Sequence, residues 1–380
     1  MTNVFRKTAK TAPKAKDLIY VLGYQPEYME EFRAKNPGKY FILTDDFIQD
    51  AVDLNAEIKD AVLHHPSIDP KKVQFYTDPN LLIADLVKRH ERVQGILNFC
   101  DDYTDRTEMW LIPTIFEMFK IPFSGYAIKG TLLTHNKFYS YSIAKQLGVP
   151  VPESFYVSKA NAEDLNVENF PVLVKPVNEG GSEGVNFRSV AHDADELHDV
   201  LHEMLENYDE LIVGEYLPGD ELTMALMRRG GENIIPITLK VLQFKNFGND
   251  PTIYTGDFKW DEKLLGNRQL VVKVFDGDPA VKDQVIRDSI KLFQVFACKD
   301  FARVDWKCDV NGIPKFIDFN ENPMYGKESS FLWCLEQADM TRRELFDAII
   351  DNLMHTIKSA TTGAAQVHPD IKVNTPDLYH

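Results

Sequence analysis

Cysteine is scarce in this 380-residue sequence: Cys100, Cys298, Cys308 and Cys334 stand far apart, and no CxxC pair occurs. That excludes a disulfide framework and a zinc site built on paired thiolates, and it makes reduced thiols in a cytoplasmic setting the expectation. Long apolar runs are missing too, so neither a transmembrane helix nor a membrane partner is expected. The basic stretch from Lys7 to Lys16 has no apolar segment of the kind a secretory signal needs, and residues 1–16 read as a flexible N-terminal arm. Positive charge is in deficit: 42 Lys and Arg face 58 Asp and Glu, a formal net charge of -16. No nucleic-acid partner is expected from that balance, although a locally basic pocket can still hold a polyanion. The pattern GxxxxGK[ST] is absent, which disfavours a P-loop nucleotide enzyme, and no internal repeat stands out.

What is present is ample apolar material, 44% of residues, enough for two or three domains in one body. Leu18–Gly23 is a short apolar run ending in Gly and reads as a buried parallel strand. Tyr40–Leu43 reads as a second strand and Val93–Phe99 as a third, with a helix over Leu81–His90 before it. Strands alternating with helices predict a doubly wound α/β unit over residues 17–130. Met109–Phe119 reads as a further helix, closed by Ile121-Pro-Phe-Ser-Gly125. Residues 131–228 form a second unit, with a helix over Leu132–Leu147 stopped by Gly148, a strand over Pro171–Pro176, a helix over Glu196–Glu206 and a strand over Leu211–Leu217. Residues 229–357 form a third, rich in strands, with helices over Ala280–Phe296 and Arg342–Ile357. Residues 358–380 lack periodicity and read as a flexible tail.

The most specific local signal is Phe301–Asn320. Asn311-Gly312 between two alternating runs predicts a two-residue type I′ hairpin turn, which sets Val310 opposite Ile313, Asp305 opposite Asp318, and Arg303 opposite Asn320. Alternate positions share a face, so these four project together. Two carboxylates facing each other repel, unless a hard cation bridges them. Magnesium fits, because it takes oxygen ligands and completes its shell with substrate phosphates. Arg303 beside it can stabilise charge on a phosphoryl group or an oxyanion. A solvated hairpin face is the bland alternative, but Val304, Trp306 and Phe319 make the opposite face apolar, so the hairpin is packed. Glu321 points to that other face and ranks below Asp318 as a ligand.

Val174–Gly184 is a strand running into a Gly-rich loop. Gly180, Gly181 and Gly184 allow backbone N–H groups to approach phosphate oxygens, and Ser182 adds a hydroxyl; taken alone, a plain flexible turn reads equally well. Lys175 ends a buried strand and needs an anion. Lys137 lies in the first turn of a helix, where the dipole disfavours a cation, and Lys259 lies between Phe258 and Trp260. A phosphate would suit both, and a solvated lysine remains the alternative.

Together, Ile121-Pro-Phe-Ser-Gly125, His135-Asn-Lys137, Val174–Gly184, Glu215-Tyr-Leu-Pro-Gly-Asp-Glu-Leu-Thr223, Phe258-Lys-Trp260, Arg303-Val-Asp305 and Asp318-Phe-Asn-Glu-Asn-Pro323 resemble the ATP-grasp superfamily, and within it the D-alanine–D-alanine ligase branch. The resemblance spans about residues 90 to 357. It implies an ATP-grasp fold behind the N-terminal doubly wound domain, mixing α/β and α+β parts, with ATP held between two α+β lobes. Lys137 and Lys175 would contact phosphates, and the Gly180–Gly184 loop would close as a lid. Glu215, Tyr216 and Leu217 would hold adenine, Glu221 the ribose, and Lys259 the γ-phosphate. Asp305, Asp318 and Asn320 would hold two Mg2+ ions, with Mn2+ a substitute, and Arg303 would stabilise the tetrahedral intermediate. A homodimer is implied as well. The activity implied is ligation of a small-molecule carboxylate, an amino acid or related acid, to an amine through an acyl phosphate. The alternatives are an ATP-grasp enzyme with a non-amine acceptor or a phosphotransfer outcome, and a non-catalytic nucleotide-binding protein.

The departures from that branch fall on substrate and lid positions. Val21-Leu-Gly-Tyr-Gln-Pro-Glu27 does not match the Gly-rich segment that carries a substrate-gripping glutamate. Gly181 stands where a lid serine is usual, Trp260 where tyrosine is common, Asp101-Asp102 where a His-Gly pair is usual, and Met324 where a glycine follows the final proline. Asp101 or Asp102 is a candidate for a substrate ammonium group, and Ser329 and Ser330 for a substrate carboxylate, against exposed loops as the plain alternative. The expectation is a ligase retargeted to another substrate rather than a peptidoglycan enzyme.

Overall fold

A computed structural model describes residues 16–35, 43–100, 106–255, 258, 265–327 and 329–362. Its strands form three sheets, each drawn from one continuous stretch of chain. The first is parallel, with β1 (Leu18–Leu22) between β2 (Val73–Tyr76) and β3 (Val93–Asn98). All five residues of β1 are buried, as expected when helices cover both faces of a parallel sheet. A bridge from Ile96 to Phe123 extends its edge. Of the expected strand over Tyr40–Leu43, Leu43 is buried and in no strand, and Tyr40 to Ile42 lie outside the described residues. Strand β2 follows the helix Asp45–His64, which Thr44 caps by accepting from the N–H of Phe47.

The second sheet is antiparallel, in the order β4 (Ser154–Ser158), β7 (Glu210–Glu215), β5 (Val172–Pro176), β6 (Val190–Ala191). The helix Ala194–Leu205 covers one face through Leu197, Leu201, Met204 and Leu205. The third sheet is also antiparallel, in the order β10 (Gln269–Val274), β9 (Asn233–Lys245), β8 (Glu221–Arg229), β11 (Phe301–Cys308), β12 (Pro314–Asn320). Strand β8 is therefore hydrogen-bonded on both edges to strands that follow residue 229.

Two cores grip this third sheet. On one side, β8, β9, β11 and β12 pack with the helices Lys137–Gln146 and Pro279–Val295 around the fully buried Trp306, Phe293, Phe296 and Phe316. On the other, Ala225, Met227 and Phe301 join the helix Arg342–Thr362, which also packs on the first sheet through a cluster that includes Leu97 and Phe99. The first sheet and the third are thus sewn to one apolar core.

The segment expected as one helix over Leu132–Leu147 is two, Ile128–Thr134 and Lys137–Gln146. Asn136 starts the second by accepting from the N–H of Tyr139 at 3.0 Å. The chain between the second and third sheets, Tyr216 to Asp220, is short and clamped. The Gly219 N–H donates to the Cys308 carbonyl at 2.9 Å, and the Cys308 N–H donates to the Asp220 carbonyl at 2.9 Å. A Cβ on Gly219 would lie 2.7 Å from both the Cβ and the carbonyl oxygen of Cys308, so the approach requires glycine.

Candidate active site

The hairpin β11–β12 brings the acids together, but not by the turn its sequence suggests. Asp309 pairs with Ile313: its carbonyl accepts from the Gly312 N–H, and its carboxylate accepts from the N–H groups of Asn311 and Ile313. Gly312 has φ +78. This is a three-residue loop with its last residue left-handed, and it offsets the ladder by one: Cys308 pairs with Pro314, Lys307 with Lys315, and Trp306 with Phe316. A bulge then restores the register, so that Asp305 faces Asp318 and Arg303 faces Asn320 as expected. Around the bulge Phe316 and Phe319 both enter the core, while Lys315, Ile317, Asp318 and Asn320 are only part-buried.

Cross-strand register aligns a row of polar residues over four strands: Lys240, Thr223, Asp305, Asp318. Thr223 donates its hydroxyl to Asp305 Oδ1 at 2.9 Å. Arg303 reaches Asp305 Oδ2 through Nη2 at 2.9 Å and Nε at 3.1 Å, and Asn320 Nδ2 lies 3.3 Å from the same oxygen. Asp318 accepts from the N–H of Phe319 at 3.2 Å and has no ion pair among the described residues. Two facing carboxylates, one without a cation, beside an amide are a donor set suited to a hard cation such as magnesium. Among the described residues no three His, Cys, Asp or Glu converge as a metal cage, so a metal here would share its shell with substrate oxygens and water. Glu321 is buried elsewhere, accepting from Thr134 Oγ1 at 2.7 Å with His135 at 3.7 Å.

Between the second and third sheets lies a cavity of about 130 Å³, walled by Leu173, Lys175, Ile212 and Gly214 on one side and by Glu221, Lys307 and Ile317 on the other. A space of that size takes a flat aromatic ring, so a larger ligand must extend out of it. Ser182, Glu215, Tyr216 and Leu217 also line it. The N–H groups of Glu215 and Tyr216 are used by the carbonyls of Glu153 and Pro171, whereas no described group takes the Leu217 N–H. Lys315 Nζ pairs with Glu215 Oε2 at 2.5 Å and ties the two sheets together across the cleft.

This acidic chain gathers buried cations here. Lys175 donates to Tyr141 Oη at 2.8 Å, and Tyr141 donates to the Ile317 carbonyl at 3.0 Å. Burial pushes the Lys175 ammonium down to about 8, against the pull of Asp318 and Glu221. Burial likewise brings Lys307 down to about 8; it donates to the Thr252 carbonyl at 2.6 Å and lies over the Phe244 ring. Lys137 is buried and donates to the Glu179 carbonyl at the root of the glycine loop. In that loop Gly181, Ser182 and Gly184 all have positive φ, and Ser182 Oγ donates to the Tyr254 carbonyl of the opposite lobe at 2.8 Å. Gly180 and Gly181 do not line the cavity, and Gly184 is packed on Pro176 and Tyr208. Behind the loop, Phe187 stacks edge-on against Phe258 and Phe247.

The remaining candidates separate. Lys259, Asp101 and Asp102 lie outside the described residues. Ser329 caps the helix Ser330–Glu336 by accepting from the Leu332 N–H, and Ser330 accepts from Lys240 at 2.5 Å. Sequence reasoning passed over Tyr141, Thr223, Lys240, Lys307 and Lys315. The signal for two of them was present: Lys240 and Lys307 each interrupt an apolar strand at a position sharing a face with recognised site residues.

Comparison with known proteins gives a consistent picture. The model of the D-ala D-ala ligase C-terminus matches residues 143–351. A D-alanine–D-alanine ligase of Pseudothermotoga lettingae is 26% identical over 289 residues, covering 73% of this chain and 86% of that one. An uncharacterised protein of Sinorhizobium fredii is 25% identical over 242 residues, covering 63% and 68%. Among solved structures, the D-alanine–D-alanine ligase of Bacillus anthracis complexed with ATP superposes with a TM-score of 0.60 at 19% identity, over 90% of this chain and 99% of that one. The VanG D-Ala:D-Ser ligase of Enterococcus faecalis gives 0.59 at 16% identity, over 90% and 100%.

Proposed function

The chain belongs to the D-ala D-ala ligase family and is an ATP-dependent, ADP-forming carboxylate–amine ligase of the ATP-grasp fold, and from that premise we propose how its own residues carry the reaction. The observation that supports the assignment of roles is the clustering of buried cations and facing carboxylates in one cleft of a chain with net charge -16.

Adenine sits in the cavity, with its edge on the free N–H of Leu217 and its faces against Leu173, Ile212 and Ile317. Glu221 accepts from ribose hydroxyls. The triphosphate runs along Lys175 and Lys137 under the loop Gly180–Gly184, with Ser182 helping to hold the loop shut, and Lys259 meets the terminal phosphate. Asp305, Asp318 and Asn320 would hold magnesium, two ions in the fullest version with Mn2+ as a substitute, and the metal would supply positive charge to phosphate oxygens. The substrate carboxylate attacks the terminal phosphorus, the β–γ phosphoanhydride bond breaks with ADP as the leaving group, and an acyl phosphate forms. The amine then attacks the acyl carbon, and collapse of the tetrahedral adduct breaks the acyl C–O bond, releasing phosphate and a proton and leaving the amide; Arg303, fixed by two bonds to Asp305, faces the oxyanion. A closed loop keeps water off the acyl phosphate.

The proposed division is an N-terminal α/β unit over 17–130, a central lobe, and a C-terminal lobe that begins at β8. No described helix is long and apolar enough to cross a membrane, and the four free, buried cysteines fit a cytoplasmic setting. A homodimer completes the proposal. The test is ADP and phosphate release from MgATP across a panel of amino acids and related acids, with and without amines. The expected result is release that needs both partners and matches amide formed. Release that needs the acid alone, or proceeds equally with hydroxyl acceptors, overturns the amine-acceptor reading.

A further inference from the structure

Lys175 is held in the cleft by a neutral group. Among the described residues its one hydrogen-bond partner is Tyr141 Oη, at 2.8 Å, and its ammonium lies 5.3 Å from the centre of the same ring. The phenol has a single proton and donates it to the Ile317 carbonyl at 3.0 Å, so Lys175 meets its lone pairs. Burial and the charge of Asp318 both push the phenol well above its usual range, which keeps the hydroxyl neutral. The kind of partner matters. A carboxylate would fix Lys175 by cancelling its charge, as Glu215 does for Lys315. A hydroxyl fixes the ammonium and leaves its charge for a phosphate.

The acceptor at the other end sits at a special place in the ladder. Trp306 pairs with Phe316 and Asp305 with Asp318, so Ile317 is the extra residue of the bulge and has no partner on β11. A bulge re-aims the side chains beside it, and the next side chain here is Asp318. Tyr141 thus holds the peptide unit that leads into one carboxylate of the candidate metal donor set. Its own ring is buried and packs edge-on against Phe316, with ring centres 5.9 Å apart. Tyr141 lies one turn beyond Lys137 on the helix Lys137–Gln146. The Lys137 N–H donates to the carbonyl of Val177, two residues past Lys175, at 3.1 Å. One helix therefore ties the end of β5 to the bulge of β12. Building on the ligase reading, we propose that Tyr141 is a positioning residue whose single hydroxyl sets the phosphate-binding ammonium of Lys175 and the carboxylate of Asp318 at a fixed separation.

Two readouts on the full-length chain test this, and neither needs turnover. Tyr141→Phe keeps the ring and removes only the hydroxyl. The first readout is ATP affinity without metal, in EDTA, by displacement of a fluorescent adenine nucleotide. Tyr141→Phe is expected to weaken ATP binding at least fivefold in the wild-type background and less than twofold in the Lys175→Met background, where no ammonium is left to place. A phenol that serves packing alone would cost the same factor in both backgrounds, and that outcome overturns the proposal. The second readout is Mn2+ held by the chain saturated with ADP, followed by electron paramagnetic resonance. Tyr141→Phe is expected to raise the Mn2+ dissociation constant at least threefold in both backgrounds, because the bond to Ile317 does not depend on Lys175; unchanged Mn2+ binding overturns the proposal. Absence of ATP binding to the wild-type chain overturns it too. ATP binding without ADP release for any acid–amine pair overturns the ligase reading alone, and the two readouts still judge Tyr141.

Discussion

The two walls of the cleft are built from similar antiparallel sheets and differ in what they offer. The wall from the second sheet presents Leu173, Ile212, Gly214 and the edge at Leu217, with Lys175 as its buried charge. The wall from the third sheet presents Thr223, Lys240, Arg303, Asp305, Lys307, Lys315, Asp318 and Asn320 on one face. One wall holds a flat ring by shape; the other arranges charge. The third sheet can carry so many polar groups because its opposite face is anchored by Trp306, Phe316, Phe319 and the helix Pro279–Val295, a core large enough to offset their burial.

If that division of labour holds, changes on the charged wall should abolish chemistry and spare base binding. The largest effect is expected from Asp318→Asn and Asp305→Asn, each lowering ADP release at least about a hundredfold, as loss of a transition-state partner does. Binding of a fluorescent adenine nucleotide should change by less than about tenfold. Equal loss of both would erase the distinction between the walls.

Next in size is Lys175→Met, with two opposite consequences. Burial holds this ammonium at about 8 rather than 10.5, so below pH 8 the folded chain holds a disfavoured charge worth roughly 3 kcal/mol. The variant should melt at a higher temperature than wild type without nucleotide at pH 7, yet bind ATP at least tenfold more weakly. In wild type the same group makes stability rise as pH climbs from 8 towards 10.5, because the unfolded chain holds the proton longer. A smaller effect concerns ATP affinity. Phosphate binding should raise the Lys175 pKa, so the complex takes up protons above pH 8 and affinity falls several-fold between pH 7.5 and 9. Calorimetry at pH 8.5 in buffers of different ionisation enthalpy measures that uptake, and release in its place would contradict the sign. Smallest is Ser182→Ala, which removes one bond across the cleft mouth, worth about 1 kcal/mol; a rise of about fivefold in the ATP KM is expected.

The same contrast explains what could be read in the sequence. The charged wall was legible because strand alternation is strict: once Asp305 and Asp318 pair, their neighbours follow. That pairing was reached through a turn one residue too short, and the bulge at Ile317 cancelled the error; neither feature has a signal in the alternation of polar and apolar residues. Lys240 and Lys307 were passed over because each is a lone lysine in an apolar strand, and only the fold shows which residues lie beside it. In the N-terminal sheet β2 went unread: it is Val-Gln-Phe-Tyr, which is barely buried and hence weakly patterned. The break at Asn136 was hidden because the apolar period runs on through it, whereas a capping side chain sets the boundary.

The clamp at Gly219 gives the cleft a spine and a fore-edge. Where the lobes join, backbone bonds on both sides of Cys308 and the lack of room for a methyl group leave no slack to swing on. At the opposite margin the described contacts include the Ser182 hydroxyl on the Tyr254 carbonyl and Phe187 edge-on against Phe247 and Phe258, none of them part of a sheet ladder. If the lobes part they should do so at that margin, as a page lifts from a bound book, and amide hydrogen exchange is expected to run faster there than along the spine.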